Sequence, residues 1–226
     1  MNVLKFGGTS VANAENITKV INILKSEAKD TQLLAVVSAL GGITDVLLEA
    51  GELANAKDEA YLTTFDAIKA RHLETVEALF PEHIKEDIIS EVSAILERLK
   101  DILQGIYLIN EFSFKTRDKV LSFGELLSSY IISEALKLHV KDAQLKDSRE
   151  LIATDSYFTK ANVKEELTNQ NISSYFKSSK ASVTVLPGFI SRNEIGETTT
   201  LGRGGSDYTA AILASALNAS QLEIWT

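Results

Sequence analysis

The sequence predicts an α/β protein built on a mainly parallel sheet. Three observations carry that prediction. Short apolar runs alternate with longer stretches of helical periodicity, which is the pattern of strand, crossover helix, strand. Seven of the 12 glycines cluster at Gly7-Gly8, Gly41-Gly42 and Gly202-Gly204-Gly205, each cluster just after a short apolar run. The 226 residues, 45% of them hydrophobic, can bury a substantial core in one domain or two small ones.

Val3-Leu4-Lys5-Phe6 reads as a buried strand broken by the first glycine pair. From about Glu15 to Glu27, Ile17, Val20, Ile21 and Leu24 recur with helical spacing. The unit repeats with Leu33 to Val37, the Ser38-Ala39-Leu40-Gly41-Gly42 turn, and an apolar-rich stretch from Thr44. Between Asp58 and Gly105 the pattern changes to long charged helices, with Pro81 as the sharp break. Ile88, Val92, Ile95, Leu99, Ile102 and Ile106 form one stripe, expected to pack a helical hairpin (about 58–118) on its own domain or to serve as a dimer seam. A buried helix is expected over Leu121 to Leu138, a strand near His139 to Leu145, a helix over Val163 to Ser178, and a strand at Val183 to Leu186. Ser191 to Glu197 reads as a hairpin turn, Ser206 to Ala219 as an Ala-rich helix, and Leu222 to Thr226 as a further strand.

Twenty-three Lys and Arg against 31 Asp and Glu leave a net charge of −8, so sequence-independent attraction to nucleic acid or an anionic membrane is a poor default. No Cys is present, which excludes a disulfide framework, a thiolate nucleophile and a cysteine metal site, and fits a reducing compartment. No apolar run exceeds five residues, far short of the roughly 20 that span a bilayer. The expectation is a cytoplasmic protein whose partners are small molecules.

Small-residue turns between a parallel strand and a helix expose backbone N–H groups beside a positive helix end, which suits anions. Lys5-Phe6-Gly7-Gly8-Thr9-Ser10 adds a cation just before such a turn. Leu201-Gly202-Arg203-Gly204-Gly205-Ser206-Asp207 adds Arg203 and a capping Ser206 or Asp207. Neither has GxxxxGK[ST] spacing, and GxGxxG is absent after the first strand, so the turns are either phosphate sites of another kind or plain turns. Glu125 stands at the start of an otherwise apolar helix, either favouring the helix N-terminus or receiving a substrate ammonium. Asp207 is either a first-turn acid or an organiser of cations around a transferring phosphate. His72, His83 and His139 lie in charged contexts without an HExxH or a nucleophile partner, and are expected at the surface.

The Lys5 to Ser10 segment, and Leu201 through Asp207 continuing into Tyr208-Thr209-Ala210, resemble the two signature segments of aspartate kinases in the amino acid kinase family. Ser38-Ala39 with Thr44, Ser122-Phe123-Gly124-Glu125, and Leu186-Pro187-Gly188-Phe189-Ile190 resemble the intermediate motifs, so the resemblance covers essentially the whole chain. Ser10 to Glu15, Leu103 to Ile106 and Glu223 to Thr226 are most similar to the N-terminal kinase region of bifunctional aspartokinase/homoserine dehydrogenases.

The resemblance implies a three-layer αβα sandwich and transfer of the ATP γ-phosphoryl group to the side-chain carboxylate of L-aspartate, the first step toward lysine, threonine and methionine. It implies that Lys5, Gly7, Gly8, Thr9 and Ser10 hold ATP phosphates. Glu125 would bind the aspartate ammonium, and Arg203 its α-carboxylate with help from Thr44 and Ser206, while Asp207 organises Lys5. Mg2+ would be held mainly through the nucleotide phosphates, and the full-length protein would be a homo-oligomer. The family pattern runs on past Trp225-Thr226 into segments that hold the nucleotide, with Thr226 at their start. A single kinase domain over 1–226, cut short on its C-terminal side and without regulatory or dehydrogenase domains, is therefore expected, with weak or no activity alone. A kinase for another amino acid and a non-catalytic amino-acid-binding module are the competing readings. The chemistry is coherent without a catalytic His or Cys, because phosphoryl transfer asks for positioning and charge stabilisation and a carboxylate acceptor needs no general base.

Overall fold

The computed structural model describes residues 1–29 and 31–226. Its centre is a five-stranded sheet in the order β3-β5-β2-β1-β8. The strands are β1 (Asn2–Phe6), β2 (Leu33–Val37), β3 (Gln144–Leu145), β5 (Val183–Pro187) and β8 (Gln221–Trp225), and every pairing is parallel. A smaller sheet, β4-β6-β7, joins β4 (Ala153–Thr154) in parallel to β6 (Ile190–Asn193), which pairs antiparallel with β7 (Thr198–Thr200).

Strand alternation decides what lies on each face. Leu4 and Phe6 of β1, Leu33, Ala35 and Val37 of β2, and Val183 and Val185 of β5 belong to one core. That core is completed by α1 (Ala14–Glu27), α2 (Ile43–Asn55), α3 (Ala60–Leu79), α4 (Glu82–Ile109) and α5 (Phe114–Lys137). Val3, Leu34, Val36 and Leu186 point the other way, into a second core with Ile172 and Phe176 of α6 (Glu165–Ser178) and Ala210 and Leu213 of α7 (Gly205–Ala216). The result is helices, sheet, helices, the three-layer arrangement expected. Lys5 shares the Val3 face, so alternation sends its side chain toward α7.

Each boundary has a local cause. Helix α1 opens where the Asn13 side chain accepts from the Asn16 N–H at 2.9 Å. Pro81 separates α3 from α4 at the N-terminal cap of the latter. The fully buried positions of α4 are Val92, Leu96, Leu99 and Leu103, flanked by Ile88 and Ile106. Ile95 and Ile102, placed at the centre of the stripe from sequence, sit at its half-buried edge, because α4 is wedged against α2, α3 and α5 and its apolar face is correspondingly wide.

Four sequence expectations are corrected. Helix α5 begins at Phe114, seven residues before the expected Leu121, because Ser113 caps it by accepting from Thr116 N–H. The strand expected over 139–145 shrinks to Gln144–Leu145, since the chain is still turning off α5 at Leu138 to Val140. Helix α7 ends at Ala216, where Asn218 adopts φ 48°. His72 is wholly buried: its Nδ1 lies 2.7 Å from the Ile68 carbonyl, and desolvation lowers its pKa to about 4. His83 and His139 are exposed.

Candidate active site

The C-terminal ends of parallel strands are where such folds bind ligands. Here β1 and β2 both run into glycine turns at that edge, and a third turn opens α7. All three border one cavity of about 320 Å3, into which come Lys5, Gly8, Thr44, Glu125, Arg203, Ser206 and Asp207. The structure therefore gathers seven of the sequence-nominated residues from four separate segments.

Helix α7 starts at Gly204, whose φ of 74° lies in the left-handed region that glycine enters without strain. Neither Gly204 nor Gly42, at the head of α2, provides a side-chain cap, so both helices begin at the cavity without a capping side chain on their first N–H groups. Gly188, just past the end of β5, fits against the first turn of α7 so closely that a Cβ there would come within 2.6 Å of Ser206.

Lys5 is 7% exposed, and its Nζ lies 2.7 Å from Asp207 Oδ1. The pair follows directly from the strand parity noted above and from Asp207 lying in the first turn of α7. Gly7 does not line the cavity. It lies beside the same ammonium, where a Cβ would be 3.2 Å from Nζ, and its N–H donates to the Trp225 carbonyl at 2.8 Å. Thr9, Ser10 and Thr226 line an adjoining hollow of about 300 Å3 with Phe6, Trp225 and Lys19. The structure thus splits the nominated residues between two neighbouring spaces. Arg203 is exposed at the cavity mouth and Thr44 is half-buried.

Glu125 differs from its sequence reading. It stands in the middle of α5, not at the start, so favourable interaction with the helix N-terminus is removed as its explanation. Its carboxyl is 3% exposed; Oε1 accepts from the Ala39 N–H at 3.3 Å, and Oε2 has no partner among the described residues. Desolvation pushes its pKa up to about 8. Gly124, alongside it, lets α5 press against the β2–α2 turn, with Ala39 Cβ 2.8 Å from where a side chain would begin.

Sequence reasoning does not single out Phe189 as a site residue. It lines the cavity at φ 65°, a conformation that costs a non-glycine residue on the order of 1 kcal/mol or more and is held by its N–H bond to Thr209 Oγ1 at 3.0 Å. The Pro187-Gly188 punctuation is the signal that pointed there. Asn16, also not nominated, donates from Nδ2 to the Thr9 carbonyl at 2.8 Å and steadies the first turn.

The model of the amino acid kinase family matches residues 1–226. The chain is 34% identical to lysine-sensitive aspartokinase 3 of Escherichia coli over 226 residues, covering 99% of this chain and 48% of that protein. It is 32% identical to the chloroplastic aspartokinase 1 of Arabidopsis thaliana, covering 99% and 39%. A chloroplastic bifunctional aspartokinase/homoserine dehydrogenase 1 of Zea mays is 29% identical, with 99% and 24% covered. The crystal structure of E. coli aspartokinase III in complex with aspartate and ADP superposes with a TM-score of 0.88 at 34% identity, over all of this chain and 49% of that one. The chain thus spans between a quarter and a half of the length of these relatives. Among the described residues no helix is long and apolar enough to cross a membrane. The match along its whole length, and the cation-bearing glycine turns converging on one cavity, place the chain in the amino acid kinase family.

Proposed function

We propose that this chain is the kinase domain of an aspartate kinase, transferring the γ-phosphoryl group of ATP to the side-chain carboxylate of L-aspartate to give 4-phospho-L-aspartate and ADP. The observation that carries the reading is the pairing, in one cavity, of a buried carboxyl whose Oε2 has no partner among the described residues with an exposed guanidinium and a strand-end lysine. A free α-amino acid offers the complement: an ammonium for Glu125 Oε2 and a carboxylate for Arg203, with Thr44 and Ser206 beside it. An acceptor held through both substituents of its α-carbon presents its side-chain carboxylate toward Lys5.

One carboxylate oxygen attacks the γ-phosphorus, the bond to the β,γ-bridging oxygen breaks, and ADP leaves with that electron pair. Lys5 neutralises charge developing on the phosphoryl oxygens, and Asp207 keeps its ammonium in place. Gly7, Gly8, Thr9 and Ser10 serve the phosphates, with Thr226 on the nucleotide side. Among the described residues no three carboxylates or histidines form a metal cage. The donors present fit a magnesium ion carried by the nucleotide phosphates, which would supply further charge neutralisation. The product feeds lysine, threonine and methionine formation under this reading, in a cytoplasmic homo-oligomer, although several relatives are chloroplastic.

Calorimetric titration with L-aspartate, D-aspartate and L-glutamate tests the assignment. Stereospecific binding of L-aspartate is expected, weakened about 10- to 150-fold in Arg203→Ala, the worth of a hydrogen bond to a charged group. Unchanged affinity in Arg203→Ala would overturn it.

A further inference from the structure

Asp118 is completely buried in the first turns of α5, yet it does not reach the cavity. Its Oδ2 accepts from the Thr200 N–H at 2.9 Å and from the Thr159 N–H at 2.9 Å, and its Oδ1 accepts from Thr200 Oγ1 at 2.7 Å. Thr200 ends β7, three residues before Arg203. The Thr159 carbonyl supports the same turn from beneath, 3.2 Å from where a Cβ of Gly202 would sit. Seven residues after Asp118, about two helical turns on, α5 carries Glu125. The Lys115–Glu197 pair also ties this end of α5 to the β6–β7 hairpin, but its lysine is more than half exposed, and such pairs contribute little. Asp118 is thus the buried link between the element bearing the proposed ammonium receptor and the turn bearing the proposed carboxylate receptor.

We propose that Asp118 is a positioning residue that clamps the Arg203 turn to α5, fixing the separation at which Glu125 and Arg203 meet the ammonium and the carboxylate carried by one α-carbon of the substrate. The proposal rests on the amino-acid reading of the cavity for its consequence, but the clamp itself is testable without any substrate. Asp118→Ala removes every acceptor and leaves all three donors unpaired, whereas Asp118→Asn could keep both backbone N–H groups on its amide oxygen and turn its N–H2 group to the Thr200 hydroxyl, which also accepts. Thr200→Val removes only the hydroxyl donor and keeps the backbone pair.

Amide hydrogen exchange and calorimetry are measured on the 226-residue chain, well below its melting temperature. In Asp118→Ala, amides of residues 200–207 are expected to exchange at least tenfold faster while those of β2 keep their protection, and the Kd for L-aspartate to rise at least tenfold. Thr200→Val is expected to move both readouts the same way but less, and it decides the matter if Asp118→Ala fails to fold. A lowered melting temperature with unchanged turn exchange and unchanged Kd means a purely structural carboxylate and overturns the proposal. If the unaltered chain does not bind L-aspartate, the substrate reading falls, and the exchange data still decide for or against the clamp.

Discussion

Replacing Glu125 by Gln separates the energetic cost of the site from its use. The carboxyl ionises at about 8 in the folded chain and near its ordinary 4.5 once unfolded. Between those values the folded state holds a proton that the unfolded state has released. Stability attributable to this group is therefore full below pH 4.5 and falls as pH rises toward 8. The slope approaches about 1.4 kcal/mol per pH unit, so between pH 5.5 and 7.5 the unaltered protein should lose about 2–3 kcal/mol relative to Glu125→Gln. For a domain of this size that is a relative melting shift of roughly 5–10 °C. Gln brings its own penalty, an N–H2 group where Oε2 has no partner, but that offset does not change with pH and cancels from the slope. The assay is thermal or urea unfolding of both proteins at pH 5.5, 6.5 and 7.5. Parallel stability curves would refute the argument that a neutral buried carboxyl occupies this position. The same protonation should govern ligand affinity: an ammonium favours ionised Glu125, so L-aspartate should bind more tightly as pH rises to 8 and release a proton on binding. In Glu125→Gln both the affinity and the proton release should be lost.

Two further expectations follow from the same geometry. Lys5→Ala should lower phosphoryl transfer by about 10²- to 10³-fold, the usual cost of a preorganised donor aimed at developing charge, while changing the Kd for L-aspartate by less than about threefold. Trapping the acyl phosphate with hydroxylamine reads the first quantity and calorimetry the second; equal losses would make Lys5 a structural residue. His72, buried and ionising at about 4 instead of its ordinary 6.5, gives the opposite pH dependence to Glu125. Its contribution is present above pH 6.5 and is lost as pH falls toward 4, by up to about 3 kcal/mol. His72→Phe should flatten the acid limb of the stability curve, and an unchanged limb between pH 6.5 and 4 would show that another group titrates there.

The sequence by itself determined the layer plan and most of the residues that line the candidate site. Alternation along Val3 to Phe6 and Leu33 to Val37, glycine pairs at strand ends, and 3.6-residue periodicity are local properties, so they can be read before folding. Lys5, Arg203 and Asp207 were legible because each adjoins a glycine turn. What only tertiary structure decided depends on contacts between distant segments. Glu125 reads like a helix-start acid in Ser122-Phe123-Gly124-Glu125, and only the Ser113 cap moves that start back and leaves the carboxyl in mid-helix. Its burial comes from α5 packing on Ala39, 86 residues away, and burial alone turns an ordinary glutamate into a titrating receptor. His72 sits in a charged stretch, and its enclosure comes from the helices packed around α3. Asp118 gave no signal at all, because its partners Thr159 and Thr200 are 41 and 82 residues downstream. Local periodicity fixes which face of an element is apolar; the environment of a polar atom is fixed by whatever other elements bring to it.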